Sequence, residues 1–401
     1  MDKNLQTIEI ENRIFAPFFN KIPVSFERGE GVHVFDENDK RYMDFTSGWG
    51  VTCIGHGSPV IAEALRAQGN KIIQNPNSGA SYSPARARLL SLLKDIMPHG
   101  LSRFFFSNSG AEANDAVIKL ARKVSGKLDV ISTLMSFHGR TISTASATGQ
   151  PSHRNRYNPL MPNYHFVPYN DVDAVSRIIK NDIAAVIVEP IQGEGGVIVP
   201  ADDYLERLSD LCDANGVMLI LDEIQTGFFR TGPLFASSPY KLKVDFMTMA
   251  KGIAGGFPFG AFAMSEEVSG KLAIGDHGGT YCGNPLGCAV SYAVIRHMLD
   301  TNIQDNVEAV GAYAFDAVRS WQEEYPQLIV DIRGKGLLIA LEFHDERLVE
   351  EIRDTCLSNG LILNVTQKKV VRIFPPLNIT KEEMEEGLRI FKNVLDGCAR
   401  P

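Results

Sequence analysis

The chain has 401 residues and 44.1 kDa, which is enough for two or three domains with a large interior. Hydrophobic residues make up 44% and charged residues 22%, close to the globular average, which excludes disordered, collagen-like and coiled-coil classes. A net charge of −8 without a basic block excludes a nucleic-acid partner, and apolar runs such as Ile183 to Val188 are far shorter than the roughly 20 residues of a membrane-spanning helix.

At the N-terminus, Met-Asp-Lys-Asn-Leu-Gln lacks a cationic start followed by an apolar stretch, so no secretory signal is expected. Gly31 to Phe35 and Arg41 to Phe45 flank the turn Asp36-Glu37-Asn38-Asp39 and predict a strand pair. Short apolar runs then predict buried parallel strands at Phe104–Phe106, Val130–Ile131, Ile183–Val188, Val217–Leu221, Phe246–Met249 and Phe259–Met264. Between them, Ala113, Ala116, Val117, Leu120, Ala121 and Val124 recur with the spacing of one buried helix face, and a second helix is expected from about Asp202 to Ala214. Alternation of this kind predicts an α/β fold with a doubly wound, mostly parallel sheet. Toward the C-terminus, a helical stretch, strands at Leu328–Asp331 and Leu337–Phe343, a helix near Glu346–Asn359 and a last helix from Lys381 form a separate α+β pattern. The expected organisation is therefore an N-terminal segment (1–49) packing with the small domain, a large domain (50–300) and a small α+β domain (301–401).

Six cysteines (Cys53, Cys212, Cys282, Cys288, Cys356 and Cys398) occur without a CxxC pair in a chain too large to depend on disulfides. Reduced thiols in a cytoplasmic protein are expected. The nine histidines include no HExxH and no zinc-type spacing occurs, so no metal site is expected.

In an open parallel sheet, ligands bind beyond the carboxyl ends of the strands, so polar residues that end apolar runs are the first to examine. Glu189 to Gly196 follow one run, Asp222 to Gly227 a second, and Lys251-Gly252 a third. A lysine and an aspartate at the ends of separate strands, with no metal motif, match what pyridoxal phosphate (PLP) requires. The cofactor needs an amine that bonds its aldehyde and a carboxylate that keeps its ring nitrogen protonated. Ser107-Asn108-Ser109-Gly110-Ala111-Glu112, where a strand turns into a helix, would cradle its phosphate. Each signal alone has an ordinary alternative, since such a lysine is commonly a solvated loop residue and such an aspartate or Ser-Gly a helix cap.

The chain further resembles the class III (ω-amino acid) aminotransferases of fold type I, in particular the branch with acetylornithine, ornithine and 4-aminobutyrate aminotransferases. The resemblance is carried by Gly-Ala-Glu-Ala-Asn (110–114), Phe-His-Gly-Arg-Thr (137–141), Val-Glu-Pro-Ile-Gln-Gly-Glu-Gly-Gly (188–196), Leu-Asp-Glu-Ile-Gln-Thr-Gly (221–227), Arg-Thr-Gly (230–232), Met-Ala-Lys-Gly (249–252), Gly-Asp-His-Gly-Gly-Thr-Tyr-Cys-Gly-Asn-Pro (275–285) and Arg-Gly-Lys-Gly-Leu (333–337). It implies that Lys251 links to the cofactor and shuttles the substrate proton, Asp222 faces the ring nitrogen, Gln225 faces the ring hydroxyl and Phe137 stacks on the ring. By the same resemblance Ser109, Gly110 and Ala111 hold the phosphate and His138 and Glu189 belong to the cofactor site. Thr280 is implied to reach the phosphate of the other subunit of a homodimer.

For the substrates, Arg372 matches an arginine that holds the α-carboxylate of glutamate and 2-oxoglutarate, and Arg140 one that meets the far carboxylate. Glu194 matches a glutamate that masks the first arginine when a donor enters terminal amine first. A ping-pong transfer of a terminal amino group to 2-oxoglutarate is the activity implied. The departures concern substrate: Trp49 stands where the related enzymes have Ile or Tyr, Thr52 where Asn is common, and Gly279 where the acetylornithine pattern has Ser. These leave a pyruvate-linked ω-amine transaminase, or an aminomutase or racemase on the same fold, as alternatives, with a binding protein on a degenerate scaffold as the non-enzyme reading.

Overall fold

The computed structural model describes residues 3–179 and 182–399. In chain order its strands are β1 (Phe26–Glu30), β2 (His33–Asp36), β3 (Arg41–Asp44), β4 (Arg103–Ser107), β5 (Asp129–Thr133), β6 (Tyr164–Val167), β7 (Ile183–Val188), β8 (Met218–Asp222), β9 (Phe246–Met249), β10 (Gly260–Met264), β11 (Ile329–Lys335), β12 (Leu338–Phe343), β13 (Leu361–Ile362), β14 (Asn364–Thr366) and β15 (Val370–Ile373). A seven-stranded sheet runs β4-β10-β9-β8-β7-β5-β6, and two four-stranded sheets run β1-β2-β3-β13 and β11-β12-β15-β14.

In the large sheet β6, β5, β7, β8 and β9 are mutually parallel. Every residue of β7 is buried, as expected for a strand covered on both faces. The sheet is mostly parallel as expected, but the expectation of a parallel strand at Phe259–Met264 is corrected, because β10 pairs antiparallel with both β4 and β9. The reason is the length of the connection: only residues 250–259 separate β9 from β10, too few for a parallel crossover of a dozen or more. Strand β6, absent from the sequence reading, is a four-residue edge strand whose Tyr164-His165-Phe166-Val167 carries no apolar run to announce it.

The helix after β4, Gly110–Ser125, starts where Ser109 Oγ accepts the Glu112 N–H at 3.2 Å and stops at Gly126, whose φ of 69° breaks the right-handed turn. Its buried face follows the predicted spacing through Ala113, Ala116, Val117, Leu120 and Ala121, with Asn114 and Ile118 buried as well and Val124 only half-buried. Strands β2 and β3 form the predicted antiparallel pair, and β3 also pairs in parallel with β13 from the other end of the chain. One buried cluster joins side chains of the large sheet, such as Val186, Leu219 and Met247, to Val318 and Phe391 of the C-terminal helices. Among the described residues no helix is long and apolar enough to cross a membrane.

Candidate active site

The carboxyl ends of β4, β8 and β9 open onto a cavity of about 430 Å³. Ser109, Gly110, Ala111, Phe137, His138, Arg140, Glu189, Glu194, Asp222, Gln225 and Lys251 line it, so most of the sequence-predicted residues meet at one place. Lys251 follows β9 and begins a short 3₁₀ turn with φ of 46°, a left-handed conformation that costs a non-glycine residue about 1–3 kcal/mol. That strain directs the backbone away from the strand at the residue expected to react. Among the described residues its ammonium has no hydrogen-bond or ion-pair partner, and burial lowers its pKa from the ordinary 10.5, against the opposing pull of Glu194.

Asp222 ends β8 and is buried. Its Oδ2 accepts from Asn114 Nδ2 and from His138 Nδ1, both at 2.7 Å, and its Oδ1 accepts the Ile224 N–H at 3.1 Å. A carboxylate only accepts, so His138 carries its proton on Nδ1 in this contact. Asn114 in turn accepts from Thr248 Oγ1 at 2.8 Å and donates to the His138 carbonyl at 2.9 Å. This chain of bonds fixes the carboxylate while Oδ1 keeps acceptor capacity on the cavity side. Asn114 has no role from sequence alone; an amide on an otherwise apolar helix face is the signal that could have found it.

At the helix start the Gly110 and Ala111 N–H groups have no residue within the helix to bond to, so they are available to an anion. The fit around them is close: a Cβ on Gly110 would lie 2.7 Å from Ile224 Cδ1, and one on Gly139, where φ is 135°, would lie 2.7 Å from Ala111 Cβ. Glu189 binds two loops at once, accepting the Phe137 N–H at 3.1 Å and the Gly193 N–H at 3.3 Å. Burial pushes its carboxyl up, and the neighbouring Asp222 adds to the rise.

Arg372 lies behind this wall. It is 0% exposed on β15, and its Nη1 pairs with Glu194 Oε1 at 2.8 Å and donates to Gln225 Oε1 at 3.3 Å. Burial alone would raise the Glu194 carboxyl, but the charges of Arg372 and Lys251 and hydrogen bonds from Arg372 and Gln225 outweigh it and hold the pKa at about 2. The Glu194 carbonyl accepts from both Thr366 Oγ1 and Gln367 Nε2 at 2.7 Å, which leaves its side chain as the movable part. Arg140 is exposed at the cavity edge, its guanidinium 5.7 Å from the Phe137 ring centre.

Besides the buried Arg372, three predicted residues do not line this chain's cavity. Thr280 and Gly279 are exposed on a loop where their carbonyls accept from Ser78 Oγ. Trp49 is 51% exposed, with its ring 6.3 Å from that of Phe19, although Val51 two residues later does line the cavity.

Comparison with known proteins agrees with this geometry. The aminotransferase class-III family model matches residues 14–395. An acetylornithine aminotransferase from Methanothermobacter thermautotrophicus is 39% identical over 390 residues, covering 97% of this chain and 98% of its own. Two crystal structures superpose closely. One is an ornithine aminotransferase from Toxoplasma gondii with partial occupancy of PLP at its active site (TM-score 0.91, 32% identity, 98% of this chain and 94% of that one). The other is an (S)-enantioselective ω-transaminase from Thermomicrobium roseum (TM-score 0.93, 30% identity, 99% of each chain). The chain belongs to the class III aminotransferases.

Proposed function

We propose that this aminotransferase uses pyridoxal phosphate to move a terminal amino group from an ω-amino acid of the acetylornithine, ornithine or 4-aminobutyrate type to 2-oxoglutarate. The residues fit the cofactor: an unpartnered buried amine, a fixed carboxylate with spare acceptor capacity and free N–H groups at a helix start surround one cavity. Bound there, it supplies an aldehyde for the donor's amine and a ring that accepts electrons from the adjacent carbon. Lys251 would link to it and carry the proton to and from the donor's reacting carbon, a task helped by a pKa below that of a free lysine. Asp222, held by Asn114 and His138, keeps the ring nitrogen protonated. Phe137 would cover one ring face, and Ser109, Gly110 and Ala111 would hold the phosphate.

The observation that carries the substrate reading is the ion pair between Glu194 and the fully buried Arg372. Closed, it presents no net charge to a donor entering terminal amine first. When glutamate or 2-oxoglutarate enters, its α-carboxylate takes the place of Glu194 on the arginine, and Arg140 at the cavity edge meets the far carboxylate. Two donors of different shape then share one site. A second copy of the chain brings the partner's Thr280 to the phosphate, which accounts for a phosphate-type residue exposed outside its own cavity. A pyruvate-linked ω-amine transaminase is the second reading, favoured by the fold match to the Thermomicrobium roseum enzyme.

The test is a product assay: protein loaded with PLP is given 2-oxoglutarate or pyruvate with N-acetylornithine, ornithine, 4-aminobutyrate or a simple amine. Glutamate formation from one ω-amino acid is expected. Alanine formation from pyruvate with no glutamate from any donor would replace this reading by the second.

A further inference from the structure

Arg372 is held from two sides, by Glu194 and Gln225 on one and by Asn364 on the other. Its Nε donates to Asn364 Oδ1 at 2.7 Å. The contact follows from the hairpin β14–β15, where Asn364 and Arg372 are directly paired in the antiparallel register and so share one face. The ring of Phe374 lies under the guanidinium, 4.7 Å from its carbon to the ring centre. On Nη1 the partners are Glu194 and Gln225, whereas Nη2 is buried with no partner among the described residues.

A guanidinium offers a carboxylate two two-point edges, one made by Nε with Nη2 and one by Nη1 with Nη2. Asn364 occupies the Nε half of the first edge. The second edge is half covered by a carboxylate that the cavity can reach, Glu194, and half unsatisfied. A buried donor without a partner is costly, so the resting state holds back one hydrogen bond that a two-oxygen ligand on that edge would make.

We propose that Asn364 is a positioning and specificity-determining residue: by occupying Nε it fixes Arg372 so that an incoming α-carboxylate replaces Glu194 end-on, across Nη1 and Nη2. Glutamate and 2-oxoglutarate then gain two parallel bonds where Glu194 makes one, which lets the carboxylate substrate displace an intact buried ion pair. A donor that enters terminal amine first leaves the Glu194 contact and Asn364 as they are. The proposal rests on the reading of Arg372 as the carboxylate-binding residue.

The test titrates glutarate, a dicarboxylate with no amine to react, into the holoenzyme by calorimetry. Wild type is compared with Asn364→Ala, Asn364→Asp and Arg372→Ala. Asn364→Asp keeps the side-chain shape and adds a charge beside the arginine, so it remains informative if Asn364→Ala fails to fold. About tenfold weaker glutarate binding is expected for Asn364→Ala, the size of one lost buried hydrogen bond, and weaker binding also for Asn364→Asp, whose added charge competes with the incoming carboxylate for the guanidinium. In the half-reactions of Asn364→Asp, KM for glutamate should rise more than kcat falls, and more than KM for the ω-amino donor. Weaker binding in Arg372→Ala with unaltered binding in the Asn364 variants overturns this proposal and leaves the carboxylate reading standing. Unaltered binding in Arg372→Ala removes the reading and the proposal together. An equal loss for both donors, or a loss in kcat alone, marks a merely structural role for Asn364 and overturns the proposal.

Discussion

Lys251 and Asp222 sit at the ends of the neighbouring strands β9 and β8, and their environments differ in the way their tasks require. The lysine is strained, unpartnered and easier to deprotonate than in water; the aspartate is held by three hydrogen bonds. Lys251→Ala should therefore keep the fold, read by circular dichroism, and lower turnover at least about a thousandfold, and borohydride reduction of the wild-type holoenzyme should leave a pyridoxyl group on Lys251 in the peptide map. Glu194 makes the protein less stable toward acid. Its folded pKa of about 2 lies below the ordinary 4.5, so the unfolded chain binds more protons in that window. The stability this group contributes is complete above about pH 4.5 and is lost as pH falls toward 2, which acid unfolding of wild type against Glu194→Gln would measure. The same substitution leaves Arg372 buried without its countercharge, so efficiency with the ω-amino donor should fall about tenfold or more relative to glutamate in single-turnover assays.

Elements were legible in the sequence wherever burial was two-sided or a helix face was apolar. Val186 and its neighbours in β7, and the stripe through Ala113 and Leu120, follow directly from hydrophobic period. Strand direction was not legible: the run at Phe259–Met264 has the same composition as a parallel core strand, and only the short connection from β9 makes it antiparallel. The same limit applies to the site. Residues on the ends of apolar runs, such as Asp222 and Lys251, stand out, whereas Asn364 meets Arg372 through a hairpin register that no local pattern records. Close packing between elements is equally silent in sequence. A Cβ on Gly311, in the helix Ile303–Glu324, would lie 2.5 Å from the Gly336 carbonyl oxygen in the β11–β12 connection. Gly311→Val should accordingly destabilise the protein by about 1–3 kcal/mol in urea unfolding, with little change in KM.

On the scale of the whole molecule, one chain gathers the amine, the carboxylate and the helix start, yet leaves Thr280, Gly279 and Trp49 on its outside. Exposed apolar side chains accompany them, with Tyr82 and Ile274 fully exposed and Tyr281 next to Thr280. We assign the surface around Thr280 and Tyr281 to contact with a second copy of this chain. Sedimentation should show a homodimer, and Thr280→Val, which keeps the side-chain shape and removes the hydroxyl, should lose PLP faster on dialysis while remaining dimeric. A fully active monomer would contradict the shared site.

The most direct measurement is the single-turnover spectrum of the purified holoenzyme, titrated separately with glutamate and with N-acetylornithine, ornithine and 4-aminobutyrate. The account predicts that the absorbance band of the enzyme-bound PLP disappears with glutamate and with at least one ω-amino acid, and returns on adding 2-oxoglutarate. A band that ignores glutamate while responding to alanine or a simple amine would contradict the carboxylate-gating role given to Glu194 and Arg372, and a band that responds to no amine would contradict the aminotransferase mechanism itself.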